Sequence, residues 1–304
     1  MKFMIRWFIL ILFFTSLCFT SCKSNNTKEK KSTGFQTESE QPEDTLNEIP
    51  VYYRFPSAKE MLSYLKTEDL KYRTDLVNPV EHIERYHSTR AKSLNLGVYL
   101  ADLSYMVLFG KTQEIKEYFN VIFNLSAELR INAPHEERLL EKISDNIHNP
   151  DSLIKIANQY HTDIIDYLLK TGKEKTLAVI STGSYIEGLY IASHLISDYN
   201  SHESAVKKIA DQKHAFKNLT KFAKKFSTDL NTKYSLDYLG RINKYFGKFT
   251  VIEEETDVKR ENDSTIVFEG GDSIKITKER FENLKEEVTQ IRQEIILNYK
   301  KSQQ

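Results

Sequence analysis

Cysteine, proline and glycine are all scarce in this chain. Two of its 304 residues are cysteine, six are proline and ten are glycine. If Cys18 leaves with a signal peptide, Cys22 has no partner and no disulfide can form within the mature chain. Glycine and proline usually make up roughly 7% and 5% of a protein, so their scarcity favours long helices over turn-rich β structure.

The motifs of several enzyme and metalloprotein classes are also missing. The glycine pair in EGGDS (269–273) is not followed by Lys-Ser/Thr, so it is not a phosphate loop. The eight histidines include no HExxH pair, and the STGS run at 181–184 lacks the G-x-S-x-G order of a nucleophile elbow. The 43 basic and 43 acidic residues leave no net charge to attract nucleic acid. We therefore predict no catalytic residue, no metal, no cofactor and no nucleic-acid partner.

Residues 1–21 have the layout of a secretory signal peptide. A short basic start with Lys2 and Arg6 leads into an apolar run at residues 7–14. That run is too short to make a good membrane span. The sequence therefore predicts a cleaved leader, and an uncleaved anchor is an alternative.

The end of this leader resembles a bacterial lipoprotein signal. Small residues Thr20 and Ser21 stand before Cys22, and in lipoproteins such a cysteine receives lipid and becomes the first residue. Cys18 is a weaker candidate because bulky Leu17 precedes it. An ordinary cleaved signal is the other alternative. By the same resemblance, Lys23 after the cysteine favours the outer membrane of a diderm bacterium.

Residues 22–50 are predicted to be the lipidated cysteine followed by a disordered tether. The segment 23–50 holds almost no apolar side chains, so it cannot offset the entropy of ordering. A flexible chain of this length spans about 30 Å. Folded structure should begin near residue 51 and form a single helical domain over 51–304.

Apolar side chains three and four apart predict a multi-helix bundle after the tether. A capping box at Ser57 and Glu60 opens the first helix. The predicted helical segments are 57–66, 88–109, 111–131, one opening near 149–151 and ending at 171–172, 175–197, 203–230 and 234–246.

The pattern changes near the C-terminus. Alternating runs around Gly270-Gly271 predict a small antiparallel β-hairpin or sheet at about 249–277. After it, Thr277 should cap a long C-terminal helix, which needs a partner helix within the same domain. Its predicted buried stripe consists of Phe281, Leu284, Val288, Ile291 and Ile295. The fold class expected is mainly α.

Two segments that are apolar almost all round, 94–109 and 176–196, should form the centre of the bundle. The first reads LNLGVYLADLSYMVLF, and the second contains STGSYIEGLYIAS at 181–193. Their small residues are Gly97 and Ala101 in the first and Gly183, Gly188 and Ala192 in the second. Glycine in a buried helix costs about 0.5–1 kcal/mol relative to alanine, and a closer backbone approach is the usual compensation. We expect these two helices to pack directly against each other.

Each of these segments also carries one acid, Asp102 or Glu187, among apolar residues. A buried carboxylate without a partner is costly, so each acid should find a partner or take up a proton. The tyrosines close in sequence are Tyr99, Tyr105, Tyr185 and Tyr190. Two interpretations stay open: a polar network that sets how the helices pair, or a tyrosine-lined pocket for a cationic or hydroxyl-rich ligand.

The LGVYLADLSY, GSYIEGLYIAS and GGDSIKIT runs resemble a group of bacterial envelope lipoproteins without an assigned activity. The resemblance implies an envelope location and a shared helical fold. The leading hypothesis is a lipid-anchored, non-catalytic binding or scaffolding module, with the membrane held through Cys22 and an envelope protein as partner. The alternative is a small-molecule binding bundle around Asp102 and Glu187, and an enzyme ranks third.

Overall fold

The computed structural model describes residues 61–62, 70–131, 136–252, 257–262, 265–269 and 273–298. The predicted signal peptide, Cys22, the tether and most of the first predicted helix lie outside these residues. The described residues belong to one unit, and most of them are helical. The mainly α fold class is therefore confirmed.

Within the described residues, eight α-helices follow the order of the predicted segments. They are α1 (Thr89–Leu108), α2 (Thr112–Glu128), α3 (Glu136–Asp145), α4 (Pro150–Lys170), α5 (Glu174–Leu195), α6 (Glu203–Lys224), α7 (Leu230–Phe246) and α8 (Lys278–Ile296). Short 3₁₀ segments span Thr74–Leu76, Val80–Arg85 and Asn200–His202. Helix α3 was not predicted, although its buried Ile143 and half-buried Leu139 and Leu140 repeat at helical spacing.

Side-chain caps explain where several helices begin. Ser88 accepts a hydrogen bond from the Ala91 N–H before α1, and Asn149 accepts one from Ser152 before α4. The Asp229 carboxylate accepts bonds from the N–H groups of Asn231 and Thr232 at the start of α7. That cap corrects two predicted boundaries, because Leu230 is the first residue of α7 and not the last of the preceding helix.

Four strands lie between α7 and α8: β1 (Thr250–Ile252), β2 (Asp257–Asn262), β3 (Thr265–Glu269) and β4 (Ser273–Lys275). β1 pairs antiparallel with β4, and β2 pairs antiparallel with β3. The predicted turn at Gly270-Gly271 lies outside the described residues, and β3 and β4 on either side of it pair with other strands. Alternation locates strands in a sequence but does not choose their partners.

Helices α1 and α5 form the centre of the bundle, as predicted. They contact each other more extensively than any other pair of described elements. At Gly97 an added Cβ would lie 2.0 Å from the Ile180 carbonyl oxygen, and at Gly183 it would lie 2.0 Å from the Leu94 carbonyl oxygen. At each of these two contacts the backbones touch because the glycine side chain is only a hydrogen atom. The predicted close packing is therefore confirmed.

The C-terminal helix α8 completes the core. Thr277 caps it by accepting a hydrogen bond from the Arg280 N–H, as predicted. All five residues of the predicted stripe are buried. The helix packs on α5, α7 and α1, so its partners lie in the same unit. Among the helices described, none combines the length and the apolar composition that a membrane span requires.

Candidate functional site

The carboxyl groups of Asp102 and Glu187 meet in the middle of the bundle. Asp102 lies on α1 and Glu187 on α5, and neither side chain is exposed to solvent. Because α1 and α5 cross closely, the two carboxyl groups are near enough for the charge of Glu187 to act on Asp102. The sequence left open whether the two acids lie close together in space, and the close crossing of α1 and α5 brings them together.

A third charged side chain, Arg292 of α8, joins this pair. Its Nε lies 2.9 and 2.8 Å from the two carboxylate oxygens of Glu187, and its Nη2 lies 2.8 Å from Oε1. The same Nη2 donates to the Leu76 carbonyl oxygen at 3.0 Å. The guanidinium also stands 4.2 Å above the ring of Tyr190. Arg292 is only 6% exposed, so this is an ion pair within the core.

Asp102 has a different environment from Glu187. Its Oδ2 accepts a hydrogen bond from the Asn78 N–H at 3.1 Å, while Oδ1 has no partner among the described residues. Burial raises the pKa of Asp102 well above its usual value, and the charge of Glu187 raises it further, while Arg292 opposes both. Burial thus favours the protonated form of Asp102, in which Oδ1 can serve as a donor.

Asn78 connects these acids to the segment before α1. Its Nδ2 donates to the Tyr86 hydroxyl at 3.0 Å, and its Oδ1 lies 2.7 Å from Nδ1 of His82. The hydroxyl of Tyr118 donates to the Asn78 carbonyl at 2.8 Å. Asn78 is completely buried, so its polar groups are satisfied by the protein. The network thus ties the segment around residue 78 to α1 and α2.

Three of the four predicted tyrosines lie around the acids. The hydroxyl of Tyr99 donates to the Pro79 carbonyl at 2.9 Å, and that of Tyr105 accepts from the Arg73 N–H at 2.8 Å. Burial raises the pKa of Tyr105 to about 12. The ring of Tyr190 packs against the guanidinium of Arg292. These hydroxyls are neutral at physiological pH, and those of Tyr99 and Tyr105 bond to backbone groups rather than to Asp102.

Tyr185 belongs to another part of the core. Its hydroxyl donates to the Gln212 carbonyl oxygen on α6 at 3.2 Å, and its ring lies 5.9 Å from that of Phe216. Burial alone raises its pKa, with no contribution from either acid. Tyr185 precedes Glu187 by two residues, which places the two side chains on different faces of α5. It is therefore not part of the polar centre.

Sequence reasoning missed Arg292 and Asn78. A signal for Arg292 was present, because it lies four residues after Val288 and three before Ile295, on the buried stripe of α8. A cation at such a position needs a buried anion. Asn78 carried no comparable signal, since it lies outside regular secondary structure and its role depends on the fold around it.

The arrangement has few features of a reactive site. Arg292 occupies the space beside Glu187 that a cationic ligand would need, and the acids lie away from solvent. Among the described residues, no group of three or more His, Cys, Asp or Glu side chains is placed to hold a metal ion. A buried ion pair with satisfied hydrogen bonds can instead specify which helix faces meet.

The proton on Asp102 should make stability depend on pH. The folded pKa lies above the unfolded value of about 3.9, so above that pH the unfolded chain releases a proton that the folded chain keeps. This group alone then lowers the free energy of unfolding by up to about 1.4 kcal/mol per pH unit until the folded pKa is reached. We therefore expect the free energy of unfolding of Asp102→Asn, measured relative to wild type at the same pH, to be higher at pH 7 than at pH 5.

Urea unfolding of both proteins at pH 5 and pH 7 measures that difference. The matched control is Asp166→Asn, which makes the same substitution at a half-exposed position of α4. Equal pH slopes for wild type and Asp102→Asn would show that Asp102 titrates normally in the folded protein.

Comparison with known proteins supplies no relative for this fold or site. No protein-family model, no curated protein and no solved structure matches the chain.

Proposed function

We propose that the chain is a lipid-anchored, non-catalytic binding or scaffolding module of the cell envelope. The FTSC ending of residues 19–22 and the polar segment after it support a folded unit held at a membrane by a tether. The partners proposed are the membrane, through lipidated Cys22, and an envelope protein. The location proposed is the outer membrane of a diderm bacterium.

The proposal that the protein is non-catalytic rests on the pairing of Glu187 with Arg292. A general acid or nucleophile must reach a substrate, and here the carboxylate is neutralised by three short contacts to one guanidinium. Side chains from α1, α5 and α8 meet at this point, which suits a role in fixing the relative positions of those helices. The proposal therefore assigns Asp102 and Glu187 to the scaffold and places binding elsewhere on the molecule.

The alternative function is a pocket for a small cationic or hydroxyl-rich molecule around the same acids. Such a ligand would have to displace Arg292 from Glu187. Glucosamine is a suitable probe because it carries both an ammonium group and hydroxyls. Under the scaffold proposal, glucosamine shifts the melting temperature of wild type and of Asp102→Asn equally. A stabilisation that is present only in wild type would favour the pocket.

The anchoring proposal predicts a different result for each cysteine. With the gene expressed in a diderm bacterium and labelled with radioactive palmitate, Cys22→Ser should remove the label and release the chain from the membrane fraction. Cys18→Ser should keep the label, because Cys18 would leave with the leader. Density-gradient separation of the two membranes then tests the location. Label retained in Cys22→Ser would refute lipidation at that residue.

A further inference from the structure

A cleft of about 570 Å³ opens where the start of α6, the β1–β4 pair and the start of α8 come together. Ligand pockets are commonly about 300–1,000 Å³. One water occupies about 30 Å³ in the liquid, so the cleft holds a molecule much larger than a simple inorganic ion. This cleft is separate from the buried acids, since it contains none of the residues of the Asp102–Glu187–Arg292 cluster.

Three cationic side chains line the cleft from three different elements. Lys207 comes from α6, Lys275 from β4 and Arg280 from the first turn of α8. One acid, Glu203, lines it as well, so the cations outnumber the anions. Within the part of the chain that the structure describes, neither lysine forms an ion pair. Three cations gathered around one opening repel each other unless an anion lies between them.

The arginine is held in place by its own neighbours. Its guanidinium donates through Nη1 to the Lys248 carbonyl oxygen, and its backbone N–H donates to the Thr277 hydroxyl at 3.3 Å. A guanidinium has five N–H donors, so donors remain for a ligand. Arginine and lysine together suit phosphate groups, since arginine offers a paired set of donors and lysine a concentrated charge.

The wall of the cleft is partly apolar. Val206, Ile274 and Ile276 are buried residues that contribute to it. The hydroxyl of Tyr199, another lining residue, donates to the Ile276 carbonyl oxygen at 2.5 Å. An organic group attached to a phosphate would find an apolar surface beside the cations. The volume and the mixed lining thus favour a phosphate ester over a free phosphate ion.

We propose that this cleft binds a phosphate-bearing organic molecule through Lys207, Lys275 and Arg280. The phosphate could belong to a soluble ester or to a phospholipid headgroup, since both present the same group. The inference deepens the proposed function, because it rests on the chain being a binding module and names the class of its ligand.

The test uses the full chain purified in detergent and two probes. Glycerol 3-phosphate represents the soluble source, and mixed micelles containing phosphatidylglycerol represent the lipid source, with phosphatidylcholine micelles as reference. Binding is measured by titration calorimetry for wild type and for Lys207→Gln/Lys275→Gln. The control is Lys217→Gln/Lys221→Gln, which removes the same charge from exposed positions of α6 outside the cleft.

We expect at least one probe to bind wild type, with an affinity at least tenfold lower in Lys207→Gln/Lys275→Gln and nearly unchanged in the control. Binding of glycerol 3-phosphate indicates a soluble ligand, and binding of phosphatidylglycerol micelles alone indicates a headgroup. No binding of either probe, or an equal loss in both variants, overturns the cleft proposal. Release of inorganic phosphate from a bound ester would support the cleft and overturn the non-catalytic proposal, so the two failures are distinguishable.

Discussion

Replacing Gly97 or Gly183 by alanine should destabilise the protein severely. The added Cβ would lie 2.0 Å from a backbone carbonyl oxygen of the facing helix in either case. At Gly97 it would also lie 2.6 Å from the Ser184 nitrogen. Backbone atoms cannot turn aside as a flexible side chain can, so α1 and α5 would have to separate. We expect a loss of at least about 3 kcal/mol in the free energy of unfolding, at the upper end for overpacking.

Urea unfolding followed by circular dichroism measures this loss, and limited proteolysis reports the folded fraction if a variant has no native baseline. Gly240→Ala is the matched control, because Gly240 is exposed on α7 and an added Cβ would meet nothing within 4 Å. That substitution should raise the stability by about 0.5–1 kcal/mol, since alanine is the better helix former. Wild-type stability in Gly97→Ala would show that the backbones do not approach this closely.

The second large effect is expected at Arg292. Replacing it by methionine keeps the length of the side chain and removes the charge, which leaves the fully buried Glu187 carboxylate without its partner. The Leu76 carbonyl oxygen also loses a donor. Breaking a buried ion pair from one side costs about 3–5 kcal/mol, so we expect Arg292→Met to lose that much stability.

A double variant separates the cost of an unpaired charge from the value of the pair. In Arg292→Met/Glu187→Leu both charges are gone, and apolar replacement of a whole buried pair is often close to neutral. We therefore expect the double variant to be more stable than Arg292→Met alone. Lys170→Met breaks the exposed pair with Asp166 and should cost less than about 1 kcal/mol. Independent, additive losses at the two sites would contradict a coupled pair.

The placement of this ion pair has a consequence for binding. Arg292 reaches Glu187 from the helix that also begins at the proposed cleft, because α8 starts at Lys278 and Arg280 lines the cleft. The buried pair thus holds the far part of the helix whose first turn presents Arg280.

Local pattern was enough to predict most of the helices. The centre of the bundle was evident because α1 and α5 are apolar on all sides, and the close crossing was evident because glycine in a buried helix needs a compensating contact. The stripe of α8 and its Thr277 cap were equally readable, since both depend on residues three or four positions apart. A carboxylate within an apolar run also predicted that Asp102 and Glu187 would need a partner or a proton.

Contacts between distant parts of the chain were decided by the tertiary structure. Glu187 and Arg292 are 105 residues apart, and nothing local to either residue names the other. The same holds for the bond from Asn78 to Asp102, for the pairing of β1 with β4 and for the separation of Tyr185 from the acids. Periodicity specifies which face of an element is buried, whereas the partner of a buried group depends on how several elements pack at once.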